Sequence, residues 1–205
     1  MTALTNTRSP GLTDLAGHVF TRLLYQDPQQ TDCSTWVRWF QGRELHVDLR
    51  LGDIVEGFAG RTRIEDGVTC WDRLIDIAPT GADDRGRLRT EADGMILELG
   101  VEADYRELWQ PAPHPITLEL LLRSGDRKAV LLQLGPPENG RFALGTSLFA
   151  PVIAMGETDP DGWQIRRASA PDWVGHPVQL NRTADQVALT TPQGLHQWTI
   201  EQEWT

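Results

Sequence analysis

The segment Leu45-His46-Val47-Asp48-Leu49-Arg50-Leu51 decides the fold, because an aliphatic residue occupies every second position and a polar residue occupies each position between. A period of two is the pattern of a β-strand with two different faces. Residues 36–40 precede this segment across the turn Gln41-Gly42-Arg43-Glu44. The two segments are therefore expected to pair as a hairpin.

Short segments of the same kind continue along the rest of the chain. After Thr31 about a dozen short strands can be counted, separated by turns rich in Gly, Pro and Asp. Regular spacing of short strands is typical of an antiparallel barrel or sandwich and not of βαβ units. The sequence therefore predicts a mainly all-β chain that forms an antiparallel β-barrel.

Three regions are predicted along the chain: a flexible N-terminus over residues 1–11, an amphipathic helix over residues 12–26 and a β-barrel domain over residues 33–205. The helix is indicated by apolar residues at helical spacing, namely Leu12, Leu15, Ala16, Val19, Phe20, Leu23 and Leu24. A Gly- and Pro-rich break near residue 136 either separates two small tandem barrels or forms a loop within one. No repeat is visible, which slightly favours one continuous barrel.

The composition describes a folded, acidic protein. Of its 205 residues, 40% are hydrophobic and 23% are charged, which excludes a disordered or collagen-like chain. The 19 Lys and Arg against 29 Asp and Glu give a net charge of −10, which argues against nucleic acid as a partner. Apolar runs are far shorter than the ~20 residues of a membrane helix, and no signal-peptide core is visible. We therefore expect a cytoplasmic protein without membrane insertion.

A set of ordered pieces carries a family resemblance. The pieces are Trp36-Val37-Arg38-Trp39-Phe40-Gln41, Leu45-His46-Val47-Asp48-Leu49-Arg50, Gly57-Phe58-Ala59-Gly60, Trp71, Asp76, Pro79, Glu98-Leu99-Gly100 and Tyr105-Arg106-Glu107-Leu108-Trp109. With them, residues 33–110 resemble the Hri-type proteins, a family of uncharacterised bacterial and fungal proteins with lipocalin-like barrels. The resemblance implies a lipocalin-like (calycin) antiparallel barrel, alone or in tandem, and no reaction. The Gly-x-Trp opening of secreted lipocalins is missing, so no retinoid or pheromone ligand is implied.

Polar residues within the strand pattern are the candidate site. His46, Asp48 and Arg50 share one face of their strand, and that face is either exposed to solvent or turned into the barrel lumen. In a lumen, a carboxylate and a guanidinium must pair with each other or meet a ligand. The residues that would line such an amphipathic, ligand-binding cavity are Arg38, Asp48, Arg50, Trp71, Glu98, Tyr105, Glu107 and Trp109.

Catalytic signatures are weak. The chain has no Gly-x-Ser-x-Gly elbow, phosphate loop or dinucleotide fingerprint. His46 and Asp48 would supply two metal ligands without an evident third, so neither a metal nor a cofactor is predicted. Cys33 and Cys70, the only cysteines, imply no disulfide framework. The sequence therefore does not favour an enzyme.

Three functions remain open. The favoured one is a cytosolic barrel that binds a small amphipathic or hydrophobic ligand in the Trp-, Arg- and carboxylate-lined cavity, in a chain with eight tryptophans against two tyrosines. The second is a protein-interaction module without a ligand cavity. The third is a barrel enzyme with Asp48 or Glu107 as general acid or base, which requires a raised pKa in a closed cavity. A filled lumen without a pocket of ~300 Å³ would count against the first.

Overall fold

The computed structural model describes residues 8–81, 83–159 and 162–204, and they form two closed antiparallel barrels. The first comprises one short helix and nine strands: α1 (Leu12–Leu15), β1 (His18–Gln26), β2 (Thr31–Asp32), β3 (Trp36–Gln41), β4 (Leu45–Leu51), β5 (Val55–Glu65), β6 (Val68–Asp76), β7 (Asp84–Thr90), β8 (Ile96–Gly100) and β9 (Arg106–Pro113). The second comprises eight strands and a 3₁₀ turn (Pro171–Trp173): β10 (Ile116–Ser124), β11 (Arg127–Leu134), β12 (Arg141–Thr146), β13 (Val152–Asp159), β14 (Gly162–Ala168), β15 (Pro177–Arg182), β16 (Gln186–Thr191) and β17 (Gly194–Glu203).

Each barrel closes through its first strand. β1 pairs with β3 on one side and with β9 on the other, and β2 only extends the far end of β1. In the second barrel, β10 pairs with both β11 and β17. Closure removes the exposed edge strands of an open sheet. The predicted all-β class is confirmed, and the structure resolves the choice between one barrel and two in favour of two.

The boundary between the barrels lies at His114-Pro115, between β9 and β10, so the predicted subdivision near residue 136 is wrong. Residues 135–140 connect β11 with β12, which pair as a hairpin inside the second barrel. Pro, Gly and Asn mark a hairpin loop as readily as a linker, because all three favour turns. The single continuous barrel favoured by the lack of a visible repeat is likewise not observed.

The helix predicted over residues 12–26 is also wrong beyond its first turn. Only Leu12–Leu15 are helical, and Gly17, with φ of 72°, separates them from strand β1. The barrel therefore begins at His18 and not at residue 33. Of the predicted flexible N-terminus, residues 1–7 lie outside the described residues.

The start of β1 resembles a helix in sequence because both faces of the strand are buried there. Val19 packs in the core between the barrels, and Phe20 packs in the lumen of the first barrel. A strand that is apolar on both faces loses its period of two. A bulge between Arg22 and Leu24 then shifts the pattern by one residue.

The two barrels share an apolar core. Leu45, Val47 and Leu49 of β4 point out of the first barrel, and all three are fully buried. They belong to the same buried cluster as Leu132 and Ile153 of the second barrel. The apolar face of β4 is therefore its outer face, covered by the neighbouring barrel instead of by the lumen.

A buried carboxylate fastens the barrels together. Glu119 on β10 is fully buried and accepts hydrogen bonds from the backbone N–H groups of Arg43 (2.7 Å), Glu44 (2.9 Å) and Leu45 (2.7 Å), at the β3–β4 turn. A Cβ atom at Gly42 would lie 2.6 Å from the Glu119 carboxyl carbon. The turn therefore needs glycine at this position for Glu119 to approach its backbone.

Glu119→Ala should lower the free energy of unfolding by about 3 kcal/mol, because three N–H groups, that of Leu45 fully buried, lose their charged acceptor. Urea denaturation of the full chain measures the loss. The matched control is Glu201→Ala, whose carboxylate pairs with Lys128 at the surface and whose loss should stay below about 1 kcal/mol. Equal small losses in the two variants would contradict the role given to Glu119.

Candidate functional site

The polar face of β4 lies inside the first barrel. Because Leu45, Val47 and Leu49 point outward, the alternate residues His46 and Asp48 point into the lumen, where both are buried. Arg50 follows them towards the mouth, and its side chain is 21% exposed. The choice that the sequence leaves open, between solvent and lumen, is therefore resolved in favour of the lumen.

Two ion pairs organise the charged part of the lumen. Arg50 Nε donates to Asp48 Oδ1 at 2.8 Å, and Arg22 Nη1 donates to Glu107 Oε1 at 2.8 Å. The two pairs adjoin, since Arg50 Nη1 lies 4.0 Å from Glu107 Oε1. Arg22 also donates to Asp32 Oδ2 at 2.9 Å. Arg22 and Arg50 therefore neutralise much of the negative charge that folding places in the lumen.

Glu98 lies in the same lumen without a basic partner. Its register partner across β8 and β9 is Glu107, so two carboxyl groups share one face of the sheet. Tyr105 Oη donates to Glu98 Oε1 at 2.8 Å, and Trp109 Nε1 donates to Glu98 Oε2 at 2.9 Å. No Arg, Lys or His nitrogen within the described residues lies within 4.0 Å of it.

Burial dominates the acid–base behaviour of these groups. Burial raises the pKa of Glu98 well above its ordinary value, and the negative charges of Glu107 and Asp84 raise it further. Burial also raises the pKa of Glu107, but Arg50 and Arg22 oppose that rise. Glu98 is therefore the carboxyl group of the lumen that holds a proton most readily.

His46 lies at the inner end of the polar face. Thr62 Oγ1 donates to Gln41 Oε1 at 2.8 Å, so the His46 Nδ1–H must donate to Thr62 Oγ1, 3.1 Å away. The His46 Nε2 atom is buried and has no hydrogen-bond partner among the described residues. Burial lowers the pKa of His46 to about 3, and the imidazole is neutral at physiological pH.

Aromatic rings fill the rest of the lumen. The Trp39 ring stacks on Phe20 at 4.2 Å between centroids and meets Trp71 and Trp109 edge-on at 5.6 and 5.7 Å. The cavity left between these rings and the ionised side chains measures about 10 Å³. That is roughly the space of a single water molecule. The lumen is therefore a filled core.

The structure brings seven of the eight predicted site residues together around this lumen: Asp48, Arg50, Trp71, Glu98, Tyr105, Glu107 and Trp109. The prediction that Arg38 lines the lumen is wrong. β3 directs Trp39 inward and Arg38 outward, to a groove between the barrels. Arg22 and Trp39 also belong to the lumen and were missed by the sequence reasoning. Arg22 lies in the segment predicted as a helix. Had that segment been assigned to a strand, Arg22 would have been a candidate for the lumen face.

The mouth of the first barrel opens into a polar cleft of about 640 Å³. Arg73 is held there by Asp76 at 3.0 Å and by Asp84 at 2.7 Å, and its guanidinium lies 3.8 Å from the centroid of Phe58. Arg63 is likewise paired with Asp72. These arginines already have carboxylate partners within the chain.

The groove between the barrels is different in charge. It measures about 390 Å³, and we call it the arginine groove after the four arginines among its lining residues, Trp36, Arg38, Phe40, Arg141, Met155, Gly156, Glu157, Arg166 and Arg167. Glu157 is its single acidic residue and lies 3.2 Å from Arg166. Within the described part of the chain, no carboxylate lies within 4.0 Å of Arg38, Arg141 or Arg167. A positive groove thus lies on a protein with a net charge of −10.

Trp36 orders the arginine groove. The guanidinium carbon of Arg38 lies 5.1 Å from the centroid of the Trp36 ring, and that of Arg167 lies 5.8 Å from it. Cation–π contacts of this length restrict the two side chains to the rim of the groove. Burial lowers the pKa of Arg38, and the charge of Arg141 lowers it further.

Comparison with known proteins supports the fold alone. No protein-family model matches the chain, and no curated protein matches it. The structure is similar to the crystal structure of the uncharacterized protein YLR301w from Saccharomyces cerevisiae, with a TM-score of 0.63 and 14% sequence identity over 92% of this chain and 99% of that chain. No helix in the described residues is long and apolar enough to cross a membrane.

Arg50→Ala should lower the free energy of unfolding by about 3 to 5 kcal/mol, because it leaves the buried carboxylate of Asp48 without its partner. Thermal and urea unfolding measure the loss. Arg89→Ala removes an exposed arginine that pairs with Glu91 on the same barrel, and it should cost less than about 1 kcal/mol. A loss below about 1 kcal/mol for Arg50→Ala would show that the Asp48 carboxylate does not need Arg50 as its partner in the folded protein.

Glu98→Gln should stabilise the protein at neutral and alkaline pH. Folding raises the pKa of Glu98 above its usual 4.5. Glu98 therefore contributes fully to the free energy of unfolding below about pH 4.5, and this contribution is lost as the pH rises through the pKa of the folded state. Each unit of that rise is worth about 1.4 kcal/mol. Glutamine has no proton to lose, and its amide can accept from Trp109 and donate to Tyr105.

The comparison variant is Glu107→Gln, which removes the negative charge that faces Arg22 and Arg50 and should destabilise the protein by about 2 kcal/mol. Urea unfolding of both variants from about pH 5 to pH 9 gives the two slopes. The expected result is a flatter pH dependence for Glu98→Gln than for the wild type. An unchanged slope together with lower stability would mean that Glu98 is ionised in the folded protein.

Proposed function

We propose that this β-barrel protein binds a small amphipathic ligand, and that the ligand lies in the arginine groove. The observation that carries the proposal is that the groove has room for a ligand and holds three arginines without a carboxylate partner among the described residues. The larger cleft at the barrel mouth, about 640 Å³, holds Arg63 and Arg73 already paired with carboxylates. The groove measures about 390 Å³, whereas the lumen cavity measures about 10 Å³. Ligand pockets usually begin at about 300 Å³.

The lining of the groove supports an amphipathic occupant. The half-buried ring of Trp36 provides apolar surface, with Phe40 and Met155 buried beneath it, and Arg38, Arg141 and Arg167 provide positive charge around it. Pockets of this composition bind the body of a ligand through apolar contacts and orient it through a few polar groups. All the residues that line the groove lie on strands β3, β12, β13 and β14, so no loop contributes to its walls.

An acid–base enzyme finds less support. Asp48 and Glu107 are buried, and burial raises the pKa of each, as a general acid would require. Both are engaged by arginines, however, and the space beside them admits about one water molecule. A substrate would have to displace the aromatic rings of the lumen to reach either carboxyl group.

We propose a cytoplasmic protein of the Hri-type family, on the basis of the ordered sequence pieces within residues 33–110. A protein-interaction module without a ligand is the competing function, and the experiment below separates it from ligand binding.

Native mass spectrometry of the protein purified gently from its own cells tests the proposal, with the denatured sample beside it. We expect a reproducible mass excess that denaturation removes. The excess should disappear in Arg38→Glu, which reverses a charge in the groove, and persist in Arg85→Glu, which makes the same change at the barrel mouth.

Two results would count against the groove. Loss of the excess in Arg85→Glu alone would place the ligand at the mouth of the first barrel. A bare polypeptide mass in the wild type would favour the interaction module over ligand binding.

A further inference from the structure

We propose that the arginine groove recognises an oxyanion head group, a phosphate or a carboxylate, on a small molecule with an apolar body. The inference rests on the proposed function and names the class of its ligand. It follows from the charge, the geometry and the apolar surface of the groove.

The positive charge of the groove is unbalanced. Arg38, Arg141 and Arg167 have no carboxylate within 4.0 Å among the described residues, and Arg166 shares Glu157 in an exposed pair. Elsewhere the chain pairs its arginines extensively, including Arg22, Arg50 and Arg73. Unpaired arginines brought together in this way repel one another, and an anion placed among them relieves the repulsion.

The geometry leaves guanidinium donors available. The bond made by Arg38 runs from Nη1 to the carbonyl oxygen of Val37 at 3.0 Å, and that of Arg167 runs from Nη1 to the carbonyl oxygen of Arg166 at 3.3 Å. A guanidinium has five N–H donors, so most of those on each side chain remain for a ligand. Arginine presents these donors in a planar fork that matches phosphate and carboxylate oxygens.

The contacts with Trp36 prepare the site in advance. A long arginine side chain normally loses considerable rotamer freedom when it binds a ligand. Here the ring of Trp36 already restricts Arg38 and Arg167, at 5.1 and 5.8 Å. Less entropy is therefore lost when an anion binds.

The apolar surface of the groove selects the rest of the ligand. Phe40 and Met155 are both buried at its base and belong to the apolar core shared by the barrels. Each is only 3% exposed, so the apolar surface that a ligand can cover is the half-buried ring of Trp36, which stands above them beside the arginines. An inorganic anion would contact the arginines and leave this ring to water. A head group attached to an alkyl or aryl body would cover both parts of the groove.

Isothermal titration calorimetry with matched eight-carbon probes tests the inference: octyl phosphate, octanoate, octyltrimethylammonium and 1-octanol, below micelle formation, with inorganic phosphate as the head group alone. We expect the two octyl anions to bind at least about tenfold more tightly than the cation, the alcohol or inorganic phosphate. Arg38→Gln, Arg141→Gln and Arg167→Gln should each weaken the anions by about tenfold or more. The matched control Arg89→Gln, on the surface of the first barrel, should leave their affinity unchanged.

The failures of the two proposals are distinguishable. The oxyanion inference would be overturned if anion, cation and alcohol bound equally well and the Arg-to-Gln variants left that binding unchanged. The groove would still be the ligand site if Trp36→Ala abolished the binding. Absence of binding by every probe, or anion binding that no groove variant changes, would overturn the proposed function as well. Sedimentation of the protein with phosphatidylglycerol vesicles, without binding of the soluble octyl anions, would replace the free ligand with a lipid surface.

Discussion

The constraint on which the rest of the structure depends is the burial of the outer face of β4 against the second barrel. Leu45, Val47 and Leu49 leave water only because a neighbouring barrel covers them, and burial of three such side chains is worth roughly 5 to 9 kcal/mol. The same strand must then turn Asp48 and Arg50 into the lumen, because alternate residues point to opposite faces. A polar lumen and an apolar exterior are thus two consequences of one contact.

The polar side chains that β4 directs into the first barrel explain why its lumen is filled. Carboxyl groups inside a barrel must be paired with cations, protonated or hydrogen-bonded, and the chain uses all three solutions. Asp48 and Glu107 pair with arginines, whereas Glu98 relies on Tyr105 and Trp109. The side chains that satisfy these groups occupy the volume a lumen ligand would need. The contact between the barrels, in turn, creates a groove at its margin, and unpaired arginines collect there.

The sequence was sufficient for the elements whose two faces differ. The period of β4 predicted its strand, and the same alternation grouped Asp48 with Arg50 correctly. It was insufficient for β1, where both faces are covered and the period of two disappears. Arg38 was misplaced for a related reason: the sequence shows which residues share a face with it but not which face the second barrel covers. The arginine groove draws on β3, β12, β13 and β14, and no local pattern brings such distant segments together.

The most direct test of this account is a crystal structure of the full chain soaked with 8-bromooctanoate, in which anomalous scattering locates the bromine. We expect the carboxylate among Arg38, Arg141 and Arg167, the bromine at the far end of the groove from them, and an unchanged lumen. A bromine peak inside the first barrel, with Trp71 or Trp109 displaced to admit it, would contradict the account, because the lumen would then be the binding cavity.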